Sequence, residues 1–76
     1  RGYQAVVNRG ADGQVLVVVH VFGETSTPSP IPVPGGLAVT GLLSSDGIKG
    51  TIKKDQLVLP EMPAWSAAVV LLAPAR

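Results

Sequence analysis

The chain has 76 residues, 46% of them hydrophobic and 14% charged, with six Lys and Arg against five Asp and Glu for a net charge of +1. So much apolar character with so little net charge excludes a disordered segment, and the balance of charge leaves neither a basic face for nucleic acid nor an acidic tail. A chain this short buries only about 60% of the surface its unfolded form exposes, so residues 1–76 make one small domain; the absence of cysteine removes disulfides, thiolate metal sites and thiol nucleophiles.

The chain opens Arg1-Gly2-Tyr3 with no initiator Met and no apolar leader, which reads as a mature product or an excised segment. Residues Tyr3 to Arg9 alternate loosely and stop at Gly10-Ala11-Asp12-Gly13, whose Asp-Gly pair suits the positive φ angles of a hairpin turn. The run Val15-Leu16-Val17-Val18-Val19-His20-Val21-Phe22 is dense in β-branched residues and predicts the central strand. Prolines 28, 30, 32 and 34 then fall at alternate positions, each removing a donor, so this stretch is extended but not an interior strand.

Strand character resumes at Leu37 to Leu43 and ends in Ser44-Ser45-Asp46-Gly47. Beyond it, Ile48, Gly50 and Ile52 alternate with Lys49, Thr51 and Lys53, the pattern of a strand with one wet face. Leu57-Val58-Leu59 is a short strand closed by Pro60. The last run, Trp65 to Leu72, is apolar on both alternating faces; its shortness and its place between Pro63 and Pro74 favour a strand over a helix. Short strands separated by frequent turns predict an all-β fold, a small antiparallel β-sandwich of about five to seven strands. The apolar runs Val15–Phe22 and Ala64–Ala73 are too short for the ~20 residues of a membrane-spanning helix, and no membrane partner is expected.

Two strands are apolar on both faces: Val15, Val17, Val19 and Val21 oppose Leu16, Val18 and Phe22, and Ala67, Val69 and Leu71 oppose Ala68, Val70 and Leu72. One sheet of this size buries only one such face by itself, and a large exposed apolar patch marks an interface. Docking against another domain or subunit is therefore expected, through Val15, Val17, Val19, Val21, Phe22 and Trp65. A barrel-like closure with a few exposed apolar residues is the alternative.

No catalytic constellation is legible. Asp12 and Asp46 each precede a Gly, where turn-forming hydrogen bonds account for them, and Asp55, Glu61 and Glu24 read as solvated. His20 is the only histidine; it has no Cys partner, no positioned acid, and too few companions for the three or four ligands zinc takes. No glycine cluster matches a phosphate-binding loop, and no metal or cofactor is expected. Among noncatalytic roles, a carbohydrate platform would use Trp65 and Tyr3, because aromatic faces supply area and orientation at low entropic cost. The Thr27 to Pro34 segment suits a rigid connection better than a polyproline ligand.

Three stretches carry a family likeness: DGQVLVVVHVFGE at 12–24, GLAVTGLLSS at 36–45 and LVLPEMPAWSAAVVLL at 57–72, with a proline-rich segment between the first two. In this order they resemble the small C-terminal β-sandwich of TIM-barrel glycoside hydrolases, of the kind that ends maltogenic amylases and α-glucosidases of the α-amylase type and α-galactosidases. His20 or Val21 stands where those domains commonly carry Asn, and Thr40-Gly41 replaces the usual acidic residue before Leu42-Leu43. The resemblance implies a noncatalytic accessory domain in carbohydrate metabolism, whose partner is the catalytic barrel of the same protein or an associated subunit. No catalytic residue carries over, because the carboxylates of such enzymes lie in the barrel. A carbohydrate-binding module and a freestanding oligomerising β-domain are the alternatives.

Overall fold

The computed structural model describes residues 2–75. Seven strands form in chain order: β1 (Tyr3–Arg9), β2 (Val15–Val21), β3 (Ile31–Pro32), β4 (Leu37–Ser44), β5 (Thr51–Lys53), β6 (Gln56–Val58) and β7 (Ala67–Pro74). They make two antiparallel sheets, a four-stranded one in the order β1-β2-β7-β4 and a three-stranded one in the order β3-β6-β5. The expected all-β class and strand number are both present, and the ambiguous last run is a strand.

The inner face of the large sheet is built by period-2 alternation. Val15, Val17, Val19 and Val21 of β2 and Ala68, Val70 and Leu72 of β7 are all at most 2% exposed. Against them pack Leu57 and Leu59 from β6 and its end, Ile31 and Val33 from the proline segment, and Ile48 and Met62 from the connections. Met62 is fully buried and pinned by a two-bond bridge, its N–H donating to the Ser26 carbonyl at 2.8 Å and the Ser26 N–H to its own carbonyl at 2.9 Å.

The turns follow the local chemistry. At the β1–β2 hairpin, Asp12 and Gly13 take φ of 59° and 76°, while the Gly10 N–H donates to the Gln14 carbonyl at 2.8 Å. The proline segment supplies only the two-residue edge strand β3, as a donor-poor stretch must. The alternation from Ile48 to Lys53 survives in burial, with Ile48 buried and Lys49 and Thr51 exposed, but its ladder is shorter than expected, Thr51–Lys53. The reason is topological: after β4 the chain leaves the large sheet for the small one, and the residues that cross cannot pair. Gly50 sits on this crossing because a Cβ there would lie 3.0 Å from Leu57 Cδ1 and 3.1 Å from Leu59 Cδ2.

The β5–β6 hairpin carries local strain. Lys53 pairs with Gln56, so Lys54 and Asp55 form a two-residue loop, with φ of 51° and 60°. Positive φ at both positions is the type I′ geometry that favours Asn-Gly, and a left-handed non-Gly residue costs about 1–2 kcal/mol. The double substitution Lys54→Asn with Asp55→Gly is expected to raise the unfolding free energy by about 1 kcal/mol, read as a higher thermal midpoint.

Candidate docking site

The face of the large sheet that points away from the small sheet is uncovered. Register brings its side chains into rows across all four strands: Val6, Val18, Val69 and Leu43 make one, and Asn8, Leu16, Leu71 and Gly41 the next. With strands about 4.8 Å apart, this face is about 14 Å wide. Leu43 is 75% exposed, Val6 41% and Leu16 36%, while Val18, Val69 and Leu71 are half-buried by one another. The positions of these strands on this face hold no Asp, Glu, Lys or Arg; Gln4, Asn8 and His20 are its polar members. At one end His20 meets Phe22 edge to face, ring centroids 5.0 Å apart at 75°.

Trp65 stands near that end and is 70% exposed. It was expected to begin the last strand; instead it occupies a turn at φ 63°, two residues before β7. Three hydrogen bonds hold that turn: Trp65 N–H donates to the Phe22 carbonyl at 2.7 Å, and both the Ser66 N–H, at 3.2 Å, and the Ser66 hydroxyl, at 2.7 Å, donate to the Pro63 carbonyl. The indole lies beside Gly23, where a Cβ would be in ordinary contact, 3.6 Å from Trp65 Cζ2. A bulky residue at positive φ persists only where its surroundings over-determine it, and such strain concentrates at functional positions. Ser66 is 1% exposed; Ser66→Ala removes one of two donors to Pro63 and is expected to cost about 1 kcal/mol in chemical denaturation, with a change in Trp65 fluorescence.

The residues singled out from sequence separate into two sets. Val15, Val17, Val19 and Val21 lie inside this chain's own core, so a neighbour approaching from outside meets Leu16, Val18, Val69 and Leu71 instead, together with Trp65 and the half-buried Phe22. The polar His20 in the even-numbered set of β2, against four valines in the odd set, was the signal that the even set is the wetter face. Tyr3 packs against the core and its hydroxyl accepts the Ser29 N–H at 3.0 Å, so its ring does not join Trp65 in one exposed platform.

The acidic side chains Asp12, Asp46, Asp55, Glu24 and Glu61 are exposed, and Asp46 accepts the Ser45 hydroxyl at 2.9 Å within its own turn. Among the described residues no three of His, Asp or Glu converge, and no buried side-chain N or O lacks a hydrogen-bond partner. An open depression of about 330 Å³ beside the β1–β2 turn is lined by Asn8, Arg9, Gln14, Leu16 and Leu71 among others and contains no carboxylate or imidazole. The described surface thus offers an apolar face and an exposed indole rather than a set of groups for chemistry. Comparison with protein-family models, curated proteins and solved structures finds no match to this chain.

Proposed function

We propose that this chain is a noncatalytic β-sandwich of a glycoside hydrolase, the C-terminal domain of its parent, and that it packs on the catalytic barrel and stabilises it. The observation that carries the reading is the uncharged outer face of the large sheet, with Leu16, Val18, Val69, Leu71 and Leu43 in register and Trp65 beside it. Contiguous exposed apolar patches often mark interfaces, and burial of this face against a barrel would remove it from water. The resemblance of residues 12–24, 36–45 and 57–72 to the sandwich of α-amylase-type and α-galactosidase enzymes supports the identity of the neighbour. Tryptophan is among the residue types enriched at interface hot spots, and Trp65 is 70% exposed.

The test is made in the parent enzyme. Removing this domain is expected to lower its thermal midpoint while leaving the type of bond cleaved unchanged. Trp65→Ala is expected to change the stability of the isolated chain by less than about 1 kcal/mol, because the side chain is 70% exposed; in the parent it is expected to weaken docking by about 2 kcal/mol or more. A parent equally stable without the domain rejects the proposal.

The exposed indole supports a second reading, a carbohydrate-binding module centred on Trp65. It is the chain's single tryptophan, so intrinsic fluorescence reports on it alone. An oligosaccharide titration that shifts this emission, and loses affinity in Trp65→Ala, would favour that reading.

A further inference from the structure

The two sheets present four edges, β1 and β4 on the large sheet and β3 and β5 on the small one. Natural sheets blunt their edges with prolines, charges, bulges or shortness, because an open edge templates pairing with another chain. Three of these edges are blunted. β3 is two residues long and contains Pro32; β5 is three residues long and ends in Lys53; β4 is broken by a bulge at Thr40, whose hydroxyl donates to the Leu71 carbonyl at 3.2 Å. β1 has none of these devices: seven residues, no proline, no bulge, and a single charge at its end, Arg9. Its core-side residues Ala5 and Val7 are exposed as well as its outer Val6, so the small sheet does not extend beneath it.

The direction of the backbone groups is fixed by one bond. The Phe22 N–H donates to the Gly2 carbonyl at 2.9 Å, and in the β1–β2 register this makes Gly2, Gln4, Val6 and Asn8 the residues that bond inward to β2. Ala5 and Val7 therefore direct their N–H and C=O groups out of the open edge. We infer that β1 pairs antiparallel with β1 of a second copy of this chain, about a two-fold axis through Val6.

That register is self-complementary. Val6 opposes Val6 of the second copy as a non-hydrogen-bonded pair, the closer kind, while Ala5 and Val7 face each other as hydrogen-bonded pairs and use the outward backbone groups. Gln4 opposes Asn8, two amides of matching chemistry. Arg9 opposes Tyr3, so the strand's one charge never meets its own copy. An axis through Ala5 or Val7 would use the same outward groups but pair only five of the seven strand residues, so the length of the ladder favours this register. The pairing joins two four-stranded sheets into one of eight and continues the row Val6, Val18, Val69, Leu43 through both copies. The inference stands on the open edge and is independent of what covers the outer face.

Sedimentation velocity of the chain from low micromolar to millimolar concentration tests it, with circular dichroism as the check on folding. The expected result is a mass that rises from monomer to dimer and no further, since pairing consumes the edge. Val7→Pro removes an N–H that points out of the sheet and leaves the β1–β2 bonds in place, so it is expected to remain folded and monomeric. Val6→Lys sets like charges across the axis and is expected to be monomeric, as is Val6→Glu; an equimolar mixture of the two is expected to restore the dimer as a heterodimer. If Val7→Pro fails to fold, the charge pair decides, because Val6 is 41% exposed and tolerates either side chain. A chain monomeric at all concentrations overturns the inference, and so does self-association that survives Val6→Lys or a Lys–Glu mixture that stays monomeric.

Discussion

Val17→Asp is expected to abolish cooperative folding, while Leu16→Asp, one residue away on the same strand, is expected to leave the fold intact. Val17 is completely buried between Val7 of β1 and Val70 of β7 on the inner face of the large sheet. A carboxylate there would have only Val7 and Val70 directly opposite it, and an unpaired buried charge costs several kcal/mol. A domain of 76 residues has a total stability of only about 4–11 kcal/mol at 0.05–0.15 kcal/mol per residue, so the loss is comparable to the whole. Leu16 is 36% exposed on the outer face, where an aspartate reaches water, and the expected change is about 1 kcal/mol or less. Circular dichroism and a urea titration separate the two variants. Under the proposed docking of the outer face, the same Leu16→Asp is expected to weaken that contact, so one pair of substitutions measures both faces of one strand.

Leu57→Ala has the second largest expected effect. Leu57 is the centre of the small sheet, paired with Ile31 on one side and Ile52 on the other, and is fully buried. Its side chain is also what Gly50 is kept small to admit. Truncating a buried leucine removes its transfer free energy and leaves a cavity, together about 2–5 kcal/mol. Because the small sheet has strands of two and three residues, its place in the fold rests on this packing rather than on its ladders. The expected drop in the thermal midpoint is 10 °C or more, at about 4–8 °C per kcal/mol for domains of this size. Leu43→Ala serves as the control: Leu43 is 75% exposed, and its truncation is expected to change stability by less than about 0.5 kcal/mol.

The strands, their turns and the proline-bound edge follow from local rules that act within a few residues. β-branched runs fit a pleated surface, Asp-Gly and Ser-Asp-Gly clusters turn, and alternate prolines deny donors, so the all-β class was legible from the chain alone. The existence of an exposed apolar face was legible too, since β2 and β7 carry apolar residues at odd and even positions alike. Trp65 was visible as a feature but not its conformation, because the carbonyls that hold its turn come from Pro63 and from Phe22, which is far away in the chain.

What only the tertiary structure decided is which face is which and which strand is left at the edge. With apolar residues at odd and even positions alike, His20 was the one sign in the chain that the even set of β2 is the wetter face; packing of the small sheet onto the four valines settled the choice. The order β1-β2-β7-β4 places strands side by side that are far apart in sequence, and it is this long-range pairing that buries β2 and β7 and exposes β1. The sequence by itself determined how much apolar surface the domain has beyond its needs. Long-range strand pairing determined where that surface lies, because an edge and an outer face are properties of a sheet and not of any one strand.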